Sequence, residues 1–285
     1  MKQGDHIVSI LRAAQTSRFL GRRFQTWFSL VLVLTIVGGP LSRGVAAADM
    51  SARDFAYKLK AVTEDAPLDV SDMDLSVLDL SSLDFKSAIL TGVDLYGADL
   101  TGADLSYVDL RDTRIDRAVI IGTNFSYANL EGAELSLPTT SKNMSFNITE
   151  SAKFLGANLT GARVLARLHG ANFRKAVLRK TDFSALNPGT ATIASVPRNY
   201  LIGAHFDGAD AREADFSNAN MNFATFTDAD LRGADFTSAE LVGADLTGAK
   251  LEGAIFEGAD LRDVKGAELS IGQATSSGPP KRPGQ

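Results

Sequence analysis

The side chains of this sequence that could do chemistry are mainly Asp carboxylates, which recur at a regular spacing. The interval from Asp79 to Asp99 is the same as the interval between successive members of the series Asp84, Asp104 and Asn124. Carboxylate oxygens held close together could bind Ca²⁺ or act as a catalytic acid pair. A catalytic pair needs one carboxyl group in a dry environment that raises its pKa. Two solvated carboxylates about 5 Å apart repel by only about 1 kcal/mol, so an exposed column of them needs no bound cation.

The composition excludes several other kinds of site. The chain has 285 residues and no Cys, which removes disulfides, thiolate metal sites, iron–sulfur clusters and cysteine nucleophiles. It has three His, of which His169 and His205 stand apart from any triad pattern, and we interpret His205 as a surface residue. We therefore predict no catalytic residue, no cofactor, no metal site and no enzymatic activity.

Basic side chains are concentrated in one segment of an acidic chain. The whole chain has 29 Lys and Arg against 34 Asp and Glu, a net charge of −5 that gives no support to nucleic-acid binding. Residues 141–180 nevertheless contain 8 basic residues and 1 acidic, between acidic blocks at 66–135 and 181–285. An anionic envelope component or an acidic protein could bind such a segment. The simpler alternative is a set of exposed ion pairs worth about 0–1 kcal/mol each. The candidate interaction patch comprises Arg163, Arg167, Arg174, Lys175, Arg179 and Lys180.

Residues 1–48 have the order of a secretory signal peptide. Basic residues precede a short apolar run at 27–37, then Gly38-Gly39-Pro40 and the small residues up to Ala48. A membrane-spanning helix needs about 20 apolar residues, so we expect cleavage near Ala48 and a mature chain without a transmembrane span. The destination would be the periplasm or an organelle lumen. An uncleaved anchor remains the alternative, and Arg22-Arg23 leaves the Sec and twin-arginine routes open. The mature chain would carry a net charge of −10.

From residue 75 onward, a large apolar residue falls on every fifth position. A small or apolar residue usually lies two positions before it, with Asp or Asn between them. Neither the period of an α-helix nor the alternation of a simple strand produces this spacing. A backbone that turns a corner every five residues does, because it points two residues of each five inward and three outward. The first unbroken series is Leu75, Leu80, Phe85, Leu90, Leu95, Leu100, Leu105, Leu110, Ile115, Ile120, Phe125, Leu130 and Leu135.

The recurring motif resembles the pentapeptide-repeat family. It is clearest in Gly97-Ala98-Asp99-Leu100-Thr101 and again in Gly243-Ala244-Asp245-Leu246-Thr247, and it covers about residues 75–269. The resemblance implies an all-β fold, a right-handed quadrilateral β-helix with four pentapeptides per coil. Inward residues four pentapeptides apart should then stack, as in the columns Phe216–Phe236–Phe256, Phe206–Phe226–Leu246 and Leu75–Leu95–Ile115–Leu135.

The same frame predicts the organisation of the mature chain. Residues 49–68 form an N-terminal cap with a short amphipathic helix, since Ser51 and Asp54 resemble a capping box. The β-helix occupies 69–270 with irregular segments at 136–153 and 187–203, and 271–285 is a disordered tail. The two interruptions, Leu135 to Phe154 and Phe183 to Phe206, are each close to one coil in length, which favours irregular coils over domain boundaries.

These observations favour an exported, non-enzymatic scaffold for an unidentified protein partner, with a homodimer through a terminal coil as a further expectation. The alternative is DNA mimicry, because some pentapeptide-repeat proteins resemble duplex DNA and protect type II topoisomerases. A signal peptide argues against that alternative. A β-helix enzyme acting on polysaccharides would need Asp, Lys and Arg clustered in a groove, which the repeat does not indicate.

Overall fold

A computed structural model of the chain describes residues 48–63, 66–85, 88–141, 150–184 and 198–266. The predicted signal peptide, apart from Ala48, and the predicted tail at 271–285 lie outside these residues. Within the described part of the chain, no helix is both long and apolar enough to span a membrane.

The five-residue period corresponds to a chain that turns four corners per coil. One residue of each pentapeptide forms a parallel β-bridge to the residue four pentapeptides later, as Asp74 does with Asp94 and Asp94 with Arg114. Backbone bonds on either side hold the coils together: Leu95 N donates to the Arg114 carbonyl at 2.8 Å, and Arg114 N donates to the Val93 carbonyl at 3.0 Å. Each side is only one bridge wide because the chain turns again before a longer strand can form.

The bridges form four columns, one on each side of the β-helix. We number the sides 1 to 4 by the first described bridge residue of each, Asp69, Asp74, Asp79 and Asp84. The only bridges in the described residues that extend into strands lie on side 2, where β1 (Glu134–Ser136) pairs in parallel with β2 (Arg163–Leu165).

The inward residues form a continuous apolar core. The predicted column is confirmed by the rings of Phe216, Phe236 and Phe256, whose centroids lie 5.1 and 4.9 Å apart in stacked pairs. The stack of Phe206 on Phe226, at 4.8 Å, is confirmed as well. Both columns are fully or almost fully buried. Their edges meet at the axis, because Phe216 and Phe226 are T-shaped at 6.1 Å.

The two interruptions lengthen coils without breaking the core. Phe154 stacks on Phe125 at 5.1 Å, not above Leu135, whose partner is Val164. Phe206 likewise stacks on Phe173 at 5.0 Å. The interpretation of the two interruptions as single coils was therefore wrong. In each interval, Leu135 to Phe154 and Phe183 to Phe206, the two residues lie on different sides of the β-helix.

The bridges show which coils are irregular. Two coils are much longer than four pentapeptides, one from Asn124 to Lys153 and the other from Arg167 to Tyr200. The coil from Lys153 to Asn172, which follows the first of them, is slightly shorter than four pentapeptides.

Most of the predicted irregular segments, 142–149 and 187–197, lies outside the described residues. In the first segment, regular pairing extends to Thr139, which bridges to Val119. In the second segment, it resumes at Tyr200, which bridges to Arg167. The regular coils therefore reach into both predicted ranges, 136–153 and 187–203.

A buried amide replaces backbone pairing where the longest coil rejoins the β-helix. Asn199 is fully buried at a position that Ala occupies in most repeats. Its Oδ1 accepts from Ala166 N at 2.7 Å, and its Nδ2 donates to the carbonyls of Val164 (2.6 Å) and Phe183 (2.7 Å). A buried backbone group without a partner costs about 1–3 kcal/mol, so this one side chain stabilises the coil by giving a partner to three backbone groups.

Within the described residues, the helix α1 (Ala52–Leu59) precedes the first coil. Its N-cap Ser51 accepts from Asp54 N at 3.1 Å. The inward face carries Phe55 and Leu59, both buried, and the Phe55 ring lies 5.5 Å from that of Phe85.

Candidate interaction surface

The outward Asp and Asn residues hold the corners of the coil. Oδ1 of Asp94 accepts from Tyr96 N at 2.8 Å, and Oδ1 of Asp99 accepts from Thr101 N at 2.9 Å. The same contact recurs on both halves of the β-helix, and it is the Asx turn that Asp and Asn favour. Sequence analysis missed this role, although a signal was available: an Asp or Asn at a fixed place two residues before a corner.

Two of these turns lower the pKa of their carboxylate. Hydrogen bonds from the Ser81 hydroxyl and the Ser81 N–H lower the pKa of Asp79 below its ordinary value, and Ser71 does the same for Asp69. In the column on side 4, Asn124 Nδ2 donates to Asp104 Oδ1 at 3.0 Å. A catalytic acid needs a raised pKa, so the electrostatics of Asp79 and Asp69 oppose that role.

Arginine occupies the position two after Asp in several repeats and forms a fork with it. Arg111 Nε and Nη2 donate to Asp109 Oδ1 and Oδ2 at 2.9 and 2.7 Å. The arrangement recurs in the pairs Arg212–Asp210, Arg232–Asp230 and Arg262–Asp260. These arginines are therefore neutralised locally.

The structure distributes the six predicted patch residues around a single coil. Arg163 lies on side 2, Arg167 on side 3, Arg174 and Lys175 beside side 4, and Arg179 and Lys180 beside side 1. Arg174 and Arg179 therefore lie beside adjacent sides of one coil. We call the six residues the basic belt. A flat partner could touch at most two adjacent sides of the belt, so the residues do not form one patch.

Four residues of the belt pair with acidic residues of a neighbouring coil, as the ion-pair alternative predicts. Arg163 contacts Asp182 in the following turn around the axis. The other three pairs are Arg174 Nε to Asp207 Oδ2 at 2.9 Å, Arg179 Nη2 to Asp210 Oδ2 at 2.7 Å and Lys180 Nζ to Glu213 Oε2 at 3.6 Å.

Arg167 and Lys175 differ from the other belt residues. No carboxylate of the described residues forms an ion pair with either one. The Arg167 guanidinium lies 5.3 Å from the centre of the Tyr200 ring, and Arg198 lies 5.2 Å from the same ring. Arg198 also donates to Glu240 Oε1 at 2.7 Å. Arg167 is thus held by an aromatic face instead of an ion pair.

Both histidines are less exposed than expected. Burial and the nearby Arg167 lower the pKa of His169, whose ring lies 5.8 Å from that of Tyr200. The side chain of His205 is only 28 % exposed and its Nδ1 lies 3.2 Å from Thr225 Oγ1. His205 is therefore an outward residue, and its ring is partly covered by the neighbouring coil that carries Thr225.

His205 lines a depression of about 230 Å³ on side 4. The depression was not predicted from the sequence, because its residues come from separate coils. Its lining comprises Ser151, Ala152, Lys153, Gly170, Asn172, Arg174 and His205. Within the described residues, no group of three or more His, Asp or Glu has the arrangement of a metal site.

Exposed aromatic rings occupy a few corners. Tyr107 and Tyr127 stack at 5.0 Å on successive coils and are 73 % and 48 % exposed. Phe223, on another corner, is 64 % exposed. These rings were not predicted, because the residue type at the corner positions varies along the sequence.

The geometry defines a repeat protein whose coils consist of four pentapeptides. The pentapeptide-repeat family model matches residues 79–117, 200–237 and 229–265, in eight copies. Over these residues the chain is similar to the pentapeptide-repeat family, whose fold is a right-handed β-helix.

Several solved structures are similar to the chain. HetL, a pentapeptide repeat protein involved in heterocyst differentiation regulation from Nostoc sp. strain PCC 7120, is 24 % identical over 81 % of this chain and 100 % of its own, with a TM-score of 0.35. QnrB1, a plasmid-mediated fluoroquinolone resistance protein, is 16 % identical over 74 % of this chain and 92 % of its own, with a TM-score of 0.33. A pentapeptide repeat protein of the Arabidopsis thaliana thylakoid lumen is 24 % identical over 46 % of this chain and 84 % of its own, with a TM-score of 0.22. No curated protein is significantly similar to the sequence.

Proposed function

We propose that the protein is an exported, non-enzymatic scaffold that presents the sides of its β-helix to a protein partner. The observation that carries this proposal is that many charged side chains are already engaged in contacts within the β-helix. Carboxylates such as Asp94 and Asp99 fix the corners, and arginines such as Arg111 and Arg174 are paired with carboxylates. A rigid surface whose charges are already paired suits recognition by shape and pattern more than acid–base chemistry.

Export is supported by the leader alone. The basic residues, the short apolar run and the small residues before Asp49 favour cleavage near Ala48 and delivery to the periplasm or an organelle lumen. Mass spectrometry of the protein purified from its host tests this directly. A mature N-terminus near residue 49 supports export, whereas an intact N-terminus in the cytoplasmic fraction contradicts it.

The two ends of the β-helix are covered in different ways. At the N-terminal end, the contact of Phe55 with Phe85 supports α1 as the cap of the first coil. At the other end, the side chains of Leu261 and Val264 are only partly buried. We propose that a second copy stacks on this end to give a homodimer. Sedimentation of the wild type and of Leu261→Glu tests it, since the charge should yield a monomer.

The scaffold role is tested by recovering a partner with variants that separate the sides. Arg174→Glu with Lys175→Glu changes side 4, and Arg179→Glu with Lys180→Glu changes side 1. Arg232→Glu is a matched control elsewhere on side 1. A specific partner that is lost with only one pair of substitutions locates the contact on that side. Partners recovered equally with all variants would exclude the belt, and robust hydrolase or transferase turnover would overturn the non-enzymatic role.

DNA mimicry is the second candidate, and the acidic column on side 2 favours it. Backbone β-bridges there join Asp182 to Asp215 and Asp215 to Asp235 on successive coils. Their charges therefore repeat at the coil spacing of about 4.8 Å. Arg114 and Arg163 interrupt the same column. Inhibition of topoisomerase supercoiling by an uncleaved, cytoplasmic protein would favour this candidate over the scaffold.

A further inference from the structure

The depression on side 4 brings polar groups from three successive coils together. Lys153 bridges to Asn172, and Asn172 bridges to His205, so the three residues form one column. At about 4.8 Å per coil, they cover roughly 10 Å along the axis. Arg174 enters the same depression from the corner after Asn172. Ser151 closes one edge, where its Oγ donates to the His169 carbonyl at 2.8 Å.

The cations of the depression are only partly neutralised. In the described part of the chain, no carboxylate forms an ion pair with Lys153. The hydrogen bond and ion pair of Arg174 use its Nε, which donates to Asp207 Oδ2 at 2.9 Å. Lys153 and Arg174 against Asp207 give the site a net charge of +1. The segment 141–180, which supplies both cations, contains 8 basic residues and 1 acidic residue.

The hydrogen bonds around Asp207 decide which atoms remain for a ligand. Thr225 Oγ1 donates its single hydrogen to Asp207 Oδ2 at 3.0 Å, so it can only accept from His205 Nδ1, 3.2 Å away. The neutral imidazole is thereby assigned as the Nδ1–H tautomer, which leaves Nε2 as an acceptor. Asn172 Oδ1 accepts from Arg174 N at 3.1 Å, which leaves its Nδ2 hydrogens as donors.

We propose that this depression is a binding site for a phosphate group. Lys153 supplies a point charge, Arg174 its two Nη nitrogens and Asn172 an amide donor, so donors from separate coils converge on a tetrahedral anion with several oxygens. The phosphate group is either free phosphate or a phospholipid head group, since both have the same chemistry. The site goes beyond the scaffold role and does not depend on it, because it requires no protein partner.

Titration of the full chain with inorganic phosphate, followed by nuclear magnetic resonance, tests the site. We expect phosphate to shift the resonances of Lys153, Arg174 and His205. Lys153→Gln and Arg174→Gln should each weaken binding about ten-fold or more, since each removes a charge-assisted contact. Arg232→Gln is the matched control and should bind as the wild type does. Lys153 has no ion pair with another described residue, so its substitution leaves the fold intact even if Arg174→Gln does not.

A second arm separates the two sources of the phosphate group. Vesicles of phosphatidylglycerol in phosphatidylcholine are compared with phosphatidylcholine alone. Binding to the anionic vesicles that Lys153→Gln abolishes assigns a head group, and binding of inorganic phosphate alone assigns the free anion. Absence of binding in both arms, or equal binding by the wild type and both depression variants, overturns the proposal.

Binding of an anion should also promote the protonation of His205. Burial and Arg174 lower the pKa of His205, while Asp207 acts in the opposite direction. Lys153 is the other charged residue in the lining of the depression. Because an anion beside Nε2 favours the charged ring, which can donate from both nitrogens, affinity should rise as the pH falls. Sulfate, which does not titrate in this range, should bind more tightly at about pH 5 than at about pH 7.5. His205→Gln should remove that difference, and an unchanged pH profile in this variant would exclude the coupling.

Discussion

The ring of Phe223 lies over the backbone of Gly243 on the next coil. A Cβ at Gly243 would stand 2.8 Å from Cδ1 and Cε1 of that ring. The same relationship joins Tyr127 to Gly156, where the distance would be 2.5 Å. At these two corners the ring fills the space that a Cβ on the coil above would need, and both glycines also adopt a positive φ.

Gly243→Ala should destabilise the protein for two reasons that controls can separate. Its φ of +66° costs an L-residue about 1–2 kcal/mol, and the Phe223 ring must also move. Gly122→Ala, with a φ of +67° and no atom within 4 Å of the added Cβ, should show the backbone cost alone. Urea denaturation measures both. In the double variant with Phe223→Ala, the cost of Gly243→Ala should fall to that of Gly122→Ala. Additive effects would mean that the ring does not constrain this corner.

Asn199→Ala should be more destabilising than the loss of a polar side chain that makes a single buried hydrogen bond. It strands the Ala166 N–H and the carbonyls of Val164 and Phe183, each at a cost of about 1–3 kcal/mol. Thr123→Val is the comparison, because it removes one buried hydrogen bond, to the Leu100 carbonyl at 2.7 Å. Chemical denaturation should show a clearly larger loss for Asn199→Ala. Equal losses would indicate that water replaces the amide.

The period of five was sufficient to predict the coil, the inward columns and the phenylalanine stacks, because each depends on the sequence within one coil. The site could not be predicted in the same way. Lys153, Asn172 and His205 are neighbours only because the coil that joins the first two is shortened and the coil that joins the last two is lengthened. The sequence shows where the period fails, but it does not show on which side the chain resumes stacking. The six residues of the basic belt are distributed over all four sides for a related reason, since a run of cations as long as one coil encircles the axis.

Phe206→Ala should cost far more than Phe223→Ala, although both residues are phenylalanines of neighbouring coils. Phe206 is fully buried between the stacked rings of Phe173 and Phe226, so truncation leaves a cavity and a loss of about 3–5 kcal/mol. Phe223 is 64 % exposed, and its truncation should cost only about 0.5 kcal/mol. Thermal or urea unfolding of the two variants measures this. A similar cost for both would mean that the core tolerates a missing ring by collapse.

Stability should fall in acid as the paired carboxylates become protonated. Hydrogen bonds from Arg212 and Arg179 hold the pKa of Asp210 well below its ordinary value of 3.8, although partial burial opposes them, and Arg232 acts similarly on Asp230. Because the folded pKa is the lower one, this stabilisation is fully present above about pH 5 and is lost as the pH falls through 3.8 towards the folded value. Urea denaturation at neutral pH and near pH 3 should therefore give a smaller free energy of unfolding in acid, and Asp210→Asn should reduce the difference. Asp228→Asn, whose carboxylate has no ion pair with another described residue, should leave the difference unchanged. An acid loss that is identical in the wild type and in Asp210→Asn would place its origin in other carboxylates.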